Sequence, residues 1–332
     1  MKPIPFFYFP TTLHLVDDRP RFPSSVKNYL TNSSQSFFYT RPLEFVEKIN
    51  QIFSHDRTFT PLLEAMKNTL LYGKTESLLT TLQQYLQNTA RFNEPAVVTI
   101  DYSMAPMNGL EVSKALPLLL KKILLTGEAD HTIALGAFNE GVIDRFIRKD
   151  ADSLPAQIAN AILELSLDYF ADIAQNIMVD PDIKRFIPNY LGQATFRKIF
   201  IELWQHYQGV EFYLLNSEGD FLCLTAQGKA FQLAFRDAPT LMLFTKQVTQ
   251  AHLEEPTDES EIALSKLIAR DSLLVFPFTE DENTLPTQKW QTCLYDLKPL
   301  SLDDETLYYA YVPLDDITFK TNTSLMQYQQ SL

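Results

Sequence analysis

The chain has 332 residues, 45% of them hydrophobic and 21% charged, with only 9 glycines; this is an ordinary globular composition, long enough for two cores and without disordered or collagenous bias. Its formal charge is −13, and the half after Asp168 is acidic too, with about 12 basic against about 23 acidic residues, so direct DNA binding through a basic domain is disfavoured. Cys223 and Cys293 lie far apart and the five histidines are scattered, which argues against a disulfide framework and a zinc-type site.

In chain order, MKPIPFFYFP is broken by three prolines and lacks the uninterrupted apolar core of a signal peptide. No stretch approaches the roughly 18 consecutive apolar residues of a membrane span, so a cytoplasmic protein without membrane contact is expected. TTLHLV reads as a strand ending at Asp17 and Asp18. RFPSSVKNYL reads as a helix, SQSFFYT as a strand and RPLEFVEKINQIF as a helix opened by Pro42. Two amphipathic helices follow in residues 54–94, the first stopped by Gly73. VVTID is a buried strand ending at Asp101, LEVSKALPLLL a short helix, and KKILLTG a strand ending at Thr126. HTIALGAFNEGV is helical, IDRFIRKD is a strand leading to Lys149, and a long helical stripe begins near Leu154. Alternation of strand and helix predicts a doubly wound α/β unit on a five-stranded parallel sheet.

The second half is different. PDIKRFIPNYLG and QATFRKIFIELWQHYQ read as helices, and GVEFYLLNSEGDFLCLTAQGKAFQLAF as strands about a Ser-Glu-Gly-Asp turn. SLLVFPF, KWQTCLYDL and TLYYAYVPL add strands, and two further helices lie between them, which predicts an α+β domain on an antiparallel sheet. EDENTLPTQ reads as an exposed loop and the polar tail after Asp316 as mobile.

The chemistry collects at the carboxyl ends of the first unit's strands, where open α/β sheets bind ligands. Asp17, Asp18, Asp101, Thr126 and Lys149 fall there. Crowded carboxylates repel one another unless they hold a hard cation such as Mg²⁺. A carboxylate can attack phosphorus, and an ammonium and a hydroxyl can hold the phosphoryl oxygens.

These residues resemble the receiver domain of two-component response regulators. The matching pieces are the DD after the first strand, the DYSMAPMNG loop with Met104, Met107 and Gly109, Thr126 in ILLTG, and Lys149 in FIRK; they cover residues 11 to about 168. The resemblance implies a flavodoxin-like fold and Asp101 as phosphoacceptor. It implies Mg²⁺ on Asp17, Asp18, Asp101 and the Ser103 carbonyl, with Thr126 and Lys149 at the phosphoryl group. Phe146 falls at the family's aromatic switch position. Three departures stand out: Pro106 is one place later than the family's proline, Asp150 follows the lysine where proline is common, and the chain is lengthened by the two helices in residues 54–94.

The expected organisation is a receiver over residues 1–168 with a helical insertion at about 54–94, an α+β output domain over 169–320 whose first hairpin resembles PAS-type sensors, and a tail over 321–332. The expected function is a cytoplasmic response regulator whose partner is a sensor histidine kinase or phosphotransfer protein. Phosphorylation would switch homodimerisation or output contacts to a protein or small ligand, with no enzymatic activity beyond accepting and losing its own phosphoryl group. The alternatives are a pseudo-receiver scaffold that never carries phosphate and an aspartyl-nucleophile phosphatase. Haloacid-dehalogenase-type phosphatases place a second aspartate two residues after the nucleophile, where this chain has Ser103.

Overall fold

The structure, a computed structural model of the chain, describes residues 2–19, 33–55, 57–127, 131–275, 290–303, 305–314 and 323–332. The helix expected in RFPSSVKNYL and the loop EDENTLPTQ lie outside the described residues. The chain divides into two compact units. One is Tyr8–Thr60, Asn88–Asn176 and Thr323–Leu332; the other is Met1–Phe7, Pro61–Gln87 and Ile177–Asn322.

The first unit holds five strands: β1 (Thr12–Val16), β2 (Ser36–Tyr39), β3 (Pro95–Asp101), β4 (Lys121–Thr126) and β5 (Arg145–Arg148). They pair in the order β2-β1-β3-β4-β5, all parallel. This is the flavodoxin-like doubly wound order, with its switch point between β1 and β3. PAVVTID is buried along its whole length, as a central strand covered on both faces must be. Val16, Phe45, Ile49, Val98, Ile100, Val112 and Leu124 form the core on one side. The helix Leu154–Val179 buries Ile158, Ile162, Leu165 and Tyr169, a stripe at helical spacing.

The second unit is built on sheet strands in the order Gly209–Leu214, Asp220–Thr225, Ala230–Arg236, Thr306–Pro313 and Lys298–Ser301. These five strands are antiparallel to one another in that order. The expected hairpin is present and runs on directly into a third neighbouring strand. Its turn needs Gly219, which sits at φ +95°, where a Cβ would stand 1.9 Å from the Tyr190 hydroxyl oxygen. The helix Ala194–His206 lays Phe196, Phe200 and Trp204 against Phe212, Phe221 and Phe235. Each buried phenylalanine contributes about 1.5–3 kcal/mol.

Three expectations change. The helices Thr60–Tyr72 and Thr75–Leu86, read from sequence as an insertion within the first unit, are grouped from Pro61 onward with the antiparallel sheet; Tyr85 meets the ring of Tyr213 edge-on at 6.4 Å. The boundary after the parallel sheet falls inside the long helix, between Asn176 and Ile177, rather than at 168. The end of the expected tail is ordered: residues 323–332 carry the helix Leu325–Gln330, capped by Ser324, and belong to the first unit. Arg91 donates from Nη2 to the Thr323 carbonyl at 2.8 Å, Tyr328 donates its hydroxyl to Asn93 Oδ1 at 2.6 Å, and the Phe92 and Tyr328 rings lie 5.2 Å apart.

Candidate functional site

The carboxyl ends of the parallel strands are tied together by backbone hydrogen bonds. Asp17 N donates to Tyr39 O at 3.0 Å, Tyr102 N to Leu125 O at 2.9 Å, and Lys149 N to Thr126 O at 2.9 Å. Asp17, Asp101, Thr126 and Lys149 are thus fixed by the register of the sheet rather than by free loops.

The side chains converge. Lys149 Nζ stands 2.8 Å from Asp17 Oδ2 and 2.8 Å from Asp101 Oδ2, a charge-assisted bridge between two buried carboxylates. Asp18 is exposed, yet carboxylate oxygens of Asp17, Asp18 and Asp101 lie within 4.8 Å of one another. The Arg19 backbone N–H donates to Asp17 Oδ1 at 2.8 Å, and the Ser103 N–H to Asp101 Oδ1 at 3.3 Å. Burial raises the Asp101 carboxyl above the usual carboxylate range; Lys149 opposes the rise and the neighbouring Asp17 adds to it. Thr126 is fully buried, and among the described residues its Oγ1 has no hydrogen-bond partner.

Three carboxylates against one ammonium leave an excess of negative charge, and the candidate ligand atoms are hard carboxylate oxygens; this set fits Mg²⁺, which binds one or two carboxylates and keeps other positions for water and phosphate. The unpartnered Thr126 hydroxyl at the same sheet edge fits a phosphoryl oxygen.

The loop after β3 is shaped by Asn108, Gly109 and Met104. Asn108 and Glu111 form a reciprocal capping box at the helix Gly109–Ala115. A Cβ on Gly109 would lie 2.5 Å from the Asp101 carbonyl oxygen and 2.9 Å from Tyr102 Cα, and Met104 is buried in the core beneath. Ala105–Pro106 is the cis peptide among the described residues, and Lys149–Asp150 is not cis. Asp150 does not compete for Lys149. It turns to Arg148, whose Nε and Nη2 donate to its two oxygens at 2.9 and 2.5 Å. Phe146 is half-buried against the core, its ring 6.3 Å from that of Phe138 at an interplanar angle of 76°. The sequence reading passed over the Asn108–Glu111 box, although the N-x-x-E spacing signals it.

A scan of protein-family models finds no match, and a search of curated proteins finds none. Among solved structures, the chain is similar to the Legionella pneumophila response regulator LqsR, at 27% identity and a TM-score of 0.72, over 99% of this chain and 96% of that one. The receiver domain of NtrX from Brucella abortus matches 47% of this chain and 98% of its own, at 14% identity and a TM-score of 0.31. A response regulator receiver domain protein from Clostridium thermocellum matches 51% of this chain and 99% of its own, also at 14% and 0.31.

Proposed function

We propose that this chain, a response regulator built as a receiver domain joined to a second domain, acts as a phosphorylation switch in a two-component relay with Asp101 as the acceptor. The observation that carries the reading is the Lys149 ammonium held 2.8 Å from both Asp17 and Asp101 at the switch point of the parallel sheet. The donor is a phosphorylated imidazole on a sensor histidine kinase or phosphotransfer protein. An Asp101 carboxylate oxygen forms the new P–O bond, while the P–N bond of the donor breaks and its electron pair leaves with the imidazole nitrogen.

Asp17, Asp18, Asp101 and the Ser103 carbonyl would hold Mg²⁺, which supplies charge neutralisation for the incoming phosphoryl oxygens. Lys149 exchanges part of its bridge for a phosphoryl oxygen, and the Thr126 hydroxyl donates to another. Movement at Thr126 on β4 reaches Phe146 on the adjacent β5, since Leu124 and Phe146 are cross-strand partners. Beyond Phe146 the helix His131–Asn139 exposes Ile133, Leu135 and Phe138, an apolar surface suited to a changed homodimer or output contact. A phosphatase would need an acid–base group beside the acceptor, and Ser103 offers its backbone N–H there.

The test is intact mass and size-exclusion elution after incubation with Mg²⁺ and acetyl phosphate, for the wild type and Asp101→Asn. The reading expects a labile adduct of one phosphoryl group and a shifted elution on the wild type alone. Unmodified wild type with unchanged elution would support the pseudo-receiver instead.

A further inference from the structure

The second unit contains a cleft of about 340 Å³ between the helices Ala238–Glu254 and Asp258–Ile268 and the strand Ser272–Leu274, at the lower end of the roughly 300–1,000 Å³ of small-molecule sites. Its inner wall is apolar, with Leu241, Leu267 and Leu274 buried. Among the described residues its charged lining is Lys246 and Arg270, with no carboxylate, in a chain of net charge −13. Among the described residues neither cation is paired with an acid.

Arg270 is held in place. It sits at φ +59°, and its Nη1 donates to the Tyr308 hydroxyl at 3.0 Å, leaving other guanidinium donors open. The lining hydroxyls of Thr245 and Thr249 spend their hydrogens on the carbonyls of Leu241 and Thr245, at 2.8 and 2.7 Å. A ligand head group therefore meets donors on the two cations rather than on those threonines. At the mouth Met242 and Ile268 keep 67% and 64% of their surface exposed, apolar area that an apolar ligand would cover.

We propose that this cleft binds a small amphiphilic carboxylate, its apolar body against Leu241, Leu267 and Leu274 and its head group between Lys246 and Arg270. The site does not depend on Asp101. The test is isothermal titration of the full chain, below micelle formation, with three probes sharing one tail: decanoate, 1-decanol and decyltrimethylammonium. Decanoate should bind one per chain, and 1-decanol about tenfold or more weaker, since charged hydrogen bonds are the stronger ones; the cation should not bind. Lys246→Gln with Arg270→Gln should bring decanoate down to the affinity of 1-decanol and leave 1-decanol unchanged, which shows that the cleft is intact. Failure of decanoate to bind, equal affinity for the three probes, or wild-type decanoate affinity in the double variant overturns the proposal.

Discussion

Gly109 has no space for a side chain, because a β-carbon there would meet the backbone of Asp101 and Tyr102. Relief requires the loop that follows Asp101 to move. Gly109→Ala is therefore expected to cost about 1–3 kcal/mol of stability and to slow phosphorylation by acetyl phosphate more than it lowers the melting temperature; a variant phosphorylated at the wild-type rate would contradict this. His14 gives a second expectation. It is buried between Thr12 Oγ1 at 3.0 Å and the Tyr39 hydroxyl at 3.1 Å, and burial, with a smaller effect of Lys48, lowers its pKa to about 4. A histidine whose folded pKa lies below its unfolded value near 6.5 adds stability that is complete above about pH 6.5 and lost as the pH falls toward 4. Urea midpoints of the wild type should fall across that window, and His14→Gln should flatten the fall. At this scale the positions of Asp17, Asp101 and Thr126 at strand ends were legible, because each follows an apolar, β-rich run. The partner of Asp150 was not foreseen, because the strand ends at Arg148 and the turn that follows, with Ala151 N donating to the Arg148 carbonyl at 3.1 Å, brings Asp150 back to the Arg148 guanidinium.

At the scale of elements, the strands and helices of the parallel sheet follow from alternation and capping residues, and the β2-β1-β3-β4-β5 order fits right-handed crossovers. The helices Thr60–Tyr72 and Thr75–Leu86 were legible as amphipathic, but periodicity states which face is buried and not what buries it. They were therefore assigned to the unit that flanks them in sequence. The same gap hid the helix Leu325–Gln330: a polar ending reads as a tail until Arg91, a fully buried cation, is seen to donate to Thr323. Removing residues 323–332 strips Arg91 and Asn93 of these partners and uncovers Phe92. Loss of partners for a buried charge costs several kcal/mol, so the truncated chain is expected to melt lower, by about 5 °C or more. An unchanged melting temperature would mean that the helix adds nothing to the first unit.

Across the whole molecule, two domains were foreseen as successive blocks, and the units are instead interleaved, each assembled from three segments. Composition and charge marked the second domain as acidic but carried no motif for its sheet, whose aromatic core is generic. The likeness to LqsR covers 99% of this chain and so takes in both units. The proposed acceptor is Asp101, and its burial, ion pair and position at the sheet's switch point support that role. The most direct measurement is to phosphorylate the protein with acetyl phosphate and Mg²⁺, reduce the acyl phosphate with borohydride, and locate the product by peptide mass. The account predicts homoserine at position 101 and nowhere else; reduction at another aspartate, or at none, would contradict it.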